Sequence, residues 1–129
     1  MFGVFDLFHD GHKNLLQQAK KHASELMVIV ARDAAVMRLK KRKPVHAEAT
    51  RLRQVRAQKS VSRAFLGDRQ EGDYKVLGRL KPEVICLGYD QEGLARDLKK
   101  RFGKTFFYIL LKSYKPKIFK TSQIRKRVG

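Results

Sequence analysis

The stretch Gly3-Val4-Phe5-Asp6-Leu7-Phe8-His9-Asp10-Gly11-His12 decides how this chain is read. Gly3, Val4 and Phe5 have the character of the end of a buried strand. After Gly11, the residues Leu15, Leu16, Ala19 and Ala23 recur at helical spacing beneath a polar face of lysines and glutamines. Two histidines bracketing a glycine therefore stand where a strand passes through a short turn into a helix. Helix amides point outward at such a mouth and favour negative charge. Gly11 lets a ligand approach the backbone without a side chain in the way. Imidazoles at positions 9 and 12 can donate hydrogen bonds to phosphates held there, and the pattern predicts a nucleotide site. A metal pair is the competing reading, but no third ligand lies nearby.

Downstream, apolar strands alternate with amphipathic helices. Residues 26–31 are continuously apolar, the composition of a strand covered on both faces. Residues 34–39 predict a short helix before Pro44, and 48–61 a longer one with Leu52, Val55 and Lys59 along one side. Strands are expected at 64–66, 83–88 and 105–111, and helices at 74–80 and 92–102, the second closed by Gly103. Thr121 or Ser122 is expected to cap a last helix running to the C-terminus. Such alternation predicts an α/β fold: a Rossmann-like, open five-stranded parallel sheet with helices on both faces, in a single domain over residues 1–129. Ligands of such folds bind beyond the carboxyl ends of the strands. That draws attention to 6–12, to Arg32 and Asp33, to 88–91 and to 112–122.

Composition narrows the class. Among 129 residues, 43% are hydrophobic, too many for a disordered chain. The longest apolar runs, 26–31 and 106–111, fall far short of a membrane span. No secretory leader is read at the N-terminus, and Cys86, the single cysteine, excludes an internal disulfide. Set among Val84, Ile85 and Leu87, it reads as an inert buried thiol. A cytoplasmic location is expected. Net charge is +18, from 30 basic and 12 acidic residues, concentrated at 40–43, 99–101 and 112–120. That balance favours anionic partners and leaves nucleic acid open, although a solvated lysine-rich surface accounts for the bulk of it.

Residues 3–12 resemble the G-x-F-D-x-x-H-x-G-H signature of the nucleotidyltransferases of the cytidylyltransferase-like superfamily. Residues 28–33, 40–44, 48–51 and 81–91 follow in the order that superfamily has. The stretch 81–91 looks most like the small archaeal FAD synthases; bacterial glycerol-3-phosphate cytidylyltransferases are the next relatives. The resemblance implies transfer of a nucleoside monophosphate from a triphosphate to a phosphate-bearing acceptor with release of pyrophosphate. ATP and FMN come first as substrates, CTP and glycerol 3-phosphate second, with a non-catalytic relative that binds RNA or another polyanion as a different class. It implies that His9 and His12 grip the triphosphate, with the helix dipole holding His12 neutral. Lys40, Lys43 and Arg51 would swing toward the outer phosphates, and Val4 and Phe5 would form wall and backbone for the nucleotide. Asp6, Asp10, Gly11, Asp90, Tyr114, Thr121 and Ser122 would complete the nucleotide site. Magnesium would arrive on the triphosphate, and a homodimer is an expectation carried from relatives.

The same residues also have local readings. Asp6 suits a turn or a cap, and 40–43 a solvated run of charge. Arg51 suits an ion pair with Glu48, and Asp90 a helix cap. The chain also departs from the pattern. Only Met1 and Phe2 precede Gly3, which predicts a truncated first strand. Lys120 stands where a hydroxyl is common, and Lys115 near an arginine's usual place.

Overall fold

A computed structural model describes residues 1–69, 74–88 and 91–112. Five parallel strands form its centre: β1 (Phe2–Gly3), β2 (Met27–Val30), β3 (Arg63–Leu66), β4 (Val84–Leu87) and β5 (Phe107–Leu110). The helices between them are α1 (Asp10–Lys20), α2 (Asp33–Lys40), α3 (Glu48–Arg56), α4 (Lys75–Leu80) and α5 (Glu92–Phe102). The α/β, Rossmann-like architecture expected from the alternation is what the chain adopts.

The hydrogen-bonded ladders fall into two groups, β1-β2-β3 and β4-β5. A two-residue β1 offers too few backbone groups to carry a second ladder, so the seam between β1 and β4 is closed by a side chain. Gln91 Nε2 donates to the Phe2 carbonyl at 2.8 Å, and its Oε1 accepts the Gly88 N–H at 2.8 Å. One primary amide thus stands in for a peptide unit at the point where strand order reverses.

Two cores show that both ladders share the same layers. Val28 and Val30 of β2 pack with Cys86 of β4 and Leu111, beneath Leu16 and Ala19 of α1 and Val55 of α3. Ile29 of β2 packs with Ile85 and Leu87 of β4 against Val76 and Leu77 of α4 and Ala95 and Leu98 of α5. Alternate residues of a strand face opposite ways, which is why continuously apolar β2 and β4 bury both sides. Cys86 lies buried as expected.

Several boundaries differ from the sequence reading. Val4 and Phe5 lie beyond β1, because Phe5 turns to φ 56° and leaves the strand. α1 ends at Lys20, which leaves Ala23 exposed outside the helical stripe. α3 stops at Arg56 rather than at Val61. Beyond it, Ser62 is already engaged with Leu26, its N–H on the Leu26 carbonyl at 2.9 Å and its Oγ on the Leu26 N–H at 3.1 Å. Lys59, expected on the apolar side, is exposed. Gly103 does close α5, at φ 53° and ψ −122°, a combination natural only to glycine. The expected final helix lies outside the described residues.

Gly3 is fixed by its neighbour. A Cβ there would sit 2.5 Å from Cε2 and 2.7 Å from Cζ of Phe5, whose ring is buried against Phe8 and His12. Gly3→Ala must displace that ring, and overpacking of this kind costs about 1–3 kcal/mol. The expected outcome is a urea midpoint lowered accordingly, with the Phe5 and His12 resonances shifted. An unchanged midpoint would show that the ring is not held where the structure has it.

Candidate active site

The turn between β1 and α1 builds the centre of the site. Phe5 and Leu7 both adopt left-handed backbone, at φ 56° and 50°, which non-glycine residues enter only under constraint. The excursion delivers His9 to the N-cap of α1 in extended conformation, with His12 one turn on. The two imidazoles then cap the helix reciprocally. His9 Nδ1 accepts the Gly11 N–H at 3.0 Å, and His12 Nδ1 accepts the His9 N–H at 3.3 Å. Their rings stack with centroids 3.9 Å apart and planes inclined by 24°. Phe5 meets His12 edge-on at 5.5 Å, and Phe8 leans on it at 5.3 Å.

This capping decides the chemistry. An Nδ1 that accepts a backbone N–H cannot carry the proton of a neutral ring, so in both histidines the proton belongs on Nε2. Burial lowers the His9 pKa, partly opposed by Asp10. Burial also pushes His12 down to about 3, helped by His9 and by Lys40 and opposed by Asp6. The neutrality expected from the helix dipole therefore arises first from desolvation. The pair is a set of uncharged Nε2–H donors rather than two cations.

The other expected site residues divide into groups. Asp10 is exposed in the first turn of α1, beside buried Gly11. Lys40 ends α2 and Lys43 lies in the following turn, both exposed; the Lys40 charge is near enough to disfavour protonation of His12. Val4 contributes its carbonyl to Arg51 rather than to an open surface. Asp6, 2% exposed, accepts the N–H groups of Leu7, Val45 and His46. Asp90, Tyr114, Thr121 and Ser122 lie outside the described residues.

Arg51 requires a correction. Its side chain is fully buried. Nε donates to the His46 carbonyl at 3.0 Å, Nη1 to the Val4 and Ala31 carbonyls at 2.9 and 2.8 Å, and Nη2 to Asp33 Oδ1 at 2.7 Å. A guanidinium so committed is not placed to swing outward; it ties together the segments that follow β1 and β2. The alternative pairing with Glu48 is also absent, because Glu48 accepts from Arg32 at 3.4 Å and from the Asp33 N–H at 3.0 Å. Arg32 in turn reaches the Gly67 carbonyl at 2.7 Å, past the end of β3. Sequence reasoning missed this network and the Gln91 bridge, since only the positions of Arg32 and Asp33 after a strand hinted at it.

A histidine whose folded pKa lies below its unfolded value binds more protons when unfolded. Stability is therefore lost as pH falls from about 6.5 toward about 3. The His12 ring signals should stay still in an NMR titration from about pH 8 to about pH 5, where an ordinary imidazole would titrate. The unfolding midpoint should drop as the medium is acidified through that window. A His12 midpoint near 6.5 would refute the neutral pair.

Comparison with known proteins agrees with this geometry. The cytidylyltransferase-like family model matches residues 1–127. An FAD synthase from Ferroglobus placidus is 46% identical over 77% of this chain, a stretch spanning 66% of that protein, just under two thirds of its length. FAD synthases from Thermococcus onnurineus and Pyrococcus abyssi are 36% and 37% identical over 98% of this chain, covering 87% and 88% of their own lengths. Among solved structures, the lipopolysaccharide core biosynthesis protein of Thermoplasma volcanium aligns with a TM-score of 0.75 at 37% identity, over 88% of this chain and 93% of that one. With its stacked, helix-capping histidine pair at the crest of a parallel sheet and a family match running almost end to end, the chain belongs to the cytidylyltransferase-like family.

Proposed function

We propose that this chain is an FMN adenylyltransferase, a single catalytic domain over residues 1–129 that acts in the cytoplasm. A phosphate oxygen of FMN attacks the α-phosphorus of ATP, one P–O bond forms, the bond to the β-phosphate breaks, and FAD and pyrophosphate leave. The observation that carries the reading is the pair of neutral imidazoles with both Nδ1 atoms spent on the helix cap. The shared identity of the relatives, FAD synthases at 34–46%, supports the choice of flavin and adenine.

In this reaction the protein has little covalent work; it positions the reactants and stabilises charge. The Nε2–H groups of His9 and His12 donate to oxygens of the α-phosphate and of the leaving group, where negative charge grows. Their neutrality keeps these donors fixed without adding a permanent charge to the ground state. Lys40 and Lys43 supply positive charge to the outer phosphates. Val4 and Phe5 wall the nucleotide, Asp10 and Gly11 border its phosphates, and Asp90, Tyr114, Thr121 and Ser122 complete its contacts. Arg51 acts only by holding its neighbours in place.

Among the described residues, no group of three or more His, Cys, Asp or Glu side chains gathers as a metal cage. A magnesium ion carried by phosphate oxygens and water would need no such cage. When bound with the triphosphate, it supplies further charge neutralisation. No helix among the described residues is long and apolar enough to cross a membrane.

The test crosses ATP and CTP with FMN, glycerol 3-phosphate and phosphocholine in the presence of magnesium, read as pyrophosphate and as flavin product. FAD is expected from ATP and FMN alone. His12→Ala should lower kcat by about 10²–10³, the usual loss for a donor to developing charge, with the fold intact by circular dichroism. Turnover only with CTP and glycerol 3-phosphate would reassign the substrates. Salt-dependent RNA binding without turnover on any acceptor would overturn the enzymatic reading.

A further inference from the structure

The basic segment between α2 and α3 is pinned near its end by buried side chains. Asp6 Oδ2 accepts the Val45 N–H at 2.7 Å, and Oδ1 accepts the His46 N–H at 2.9 Å. From the opposite side, Arg51 Nε donates to the His46 carbonyl at 3.0 Å. Both backbone polar groups of His46 are thus held by buried, oppositely charged side chains. The other end of the segment leaves α2 through Lys41 in left-handed conformation, its N–H on the Met37 carbonyl at 2.9 Å. Residues 41–47 form a strap fixed at both ends. Lys40 stands at its root and Lys43 within it.

The clamp joins this strap directly to the histidine turn. Asp6 lies in that turn, between Phe5 and Leu7, whose left-handed backbones aim it inward. A buried carboxylate is costly unless its lone pairs are filled, and backbone amides fill them with a fixed direction. A looser connection would serve if the strap only had to close. A two-point acceptor sets both its distance and its orientation relative to His9 and His12.

We propose that Asp6 is a positioning residue: its carboxylate, opposed by Arg51, clamps residues 45–46 so that Lys40 and Lys43 face the outer phosphates of a triphosphate lying on the histidine pair. This rests on the triphosphate reading above. Asp6 itself does not touch the nucleotide. Its effect on the outer phosphates runs through the two lysines.

The test is calorimetric binding of MgATP and of AMP to the full chain and its variants. Asp6→Asn replaces one acceptor by a donor facing an amide, and should weaken MgATP about tenfold, as loss of a buried charged hydrogen bond does, while AMP binds within about twofold of wild type. Val45→Pro removes one amide from the clamp while Asp6 stays; Val45 is 51% exposed, so this variant carries the test if Asp6→Asn does not fold. In a Lys40→Ala/Lys43→Ala background, either change should cost nothing further, because the route through the lysines is already gone. Equal weakening of ATP and AMP, or a loss that persists in the double-lysine background, overturns the clamp. If the wild-type chain binds ATP and AMP alike, the triphosphate reading itself fails and the clamp with it.

Discussion

One buried guanidinium sets the geometry of the whole ligand-facing edge. Arg51 gathers the carbonyls that follow β1 and β2, the carbonyl that precedes α3, and the carboxylate that opens α2. Burying such a charge gives little net stability, because desolvation consumes most of the attraction. Its effect is registration. A planar fork with donors in fixed directions accepts only one arrangement of its partners, which a lysine could not enforce. Removing it would leave three carbonyls without their donor and Asp33, whose side chain is 41% exposed, without its ion pair. The Arg32–Glu48 pair continues the same ordering to the end of β3 through Gly67.

The histidine turn obeys a second constraint, that of the helix end. The first amides of a helix need acceptors, and serine or aspartate usually provides them. Here imidazole Nδ1 atoms do so, at the N-cap and three residues on. The spacing of the two histidines is therefore a capping spacing as well as part of a family signature. Capping fixes the tautomer and burial fixes the charge state, and together they leave both rings neutral with the proton on Nε2. The left-handed Phe5 and Leu7 carry the backbone strain of bringing this turn over Gly3, which alone leaves room for the Phe5 ring.

Much of this was legible in the sequence. Apolar runs at 26–31 and 84–87 identified the strands buried on both faces, and the alternation identified the layered fold. The histidine pair declared itself by standing between a strand and an amphipathic helix. What could not be read were the roles of polar residues whose partners are remote in the chain. Arg51 looks like any helix-surface cation until the fold carries Val4, Ala31 and Asp33 to it. Asp6 looks like a ligand within a binding signature, yet its oxygens meet amides some forty positions away. Gln91 and Gln18 carry no motif at all. Each nevertheless uses its side-chain amide as a peptide, Gln91 across the seam between the ladders and Gln18 on both backbone groups of Lys112. Local pattern identifies elements; long-range hydrogen bonding assigns duties.

The division between fixed neutral donors and charged lysines has a physical logic. In the proposed reaction a triphosphate would be bound, its charge redistributed as the bond to the β-phosphate breaks, and the pyrophosphate then released. Donors close to the reacting phosphorus gain most from being rigid and uncharged, since they strengthen as charge arrives and hold the ground state only moderately. In that reaction, lysines at the root of the strap and within it would meet the outer phosphates and leave with them, because a lysine is a point charge on a long stem. Too loose a strap would forfeit the charge at the moment of bond breaking, and one rigid along its length would retain the product. A segment anchored at its two ends and exposed at Lys41, Arg42 and Lys43 between them would meet both demands.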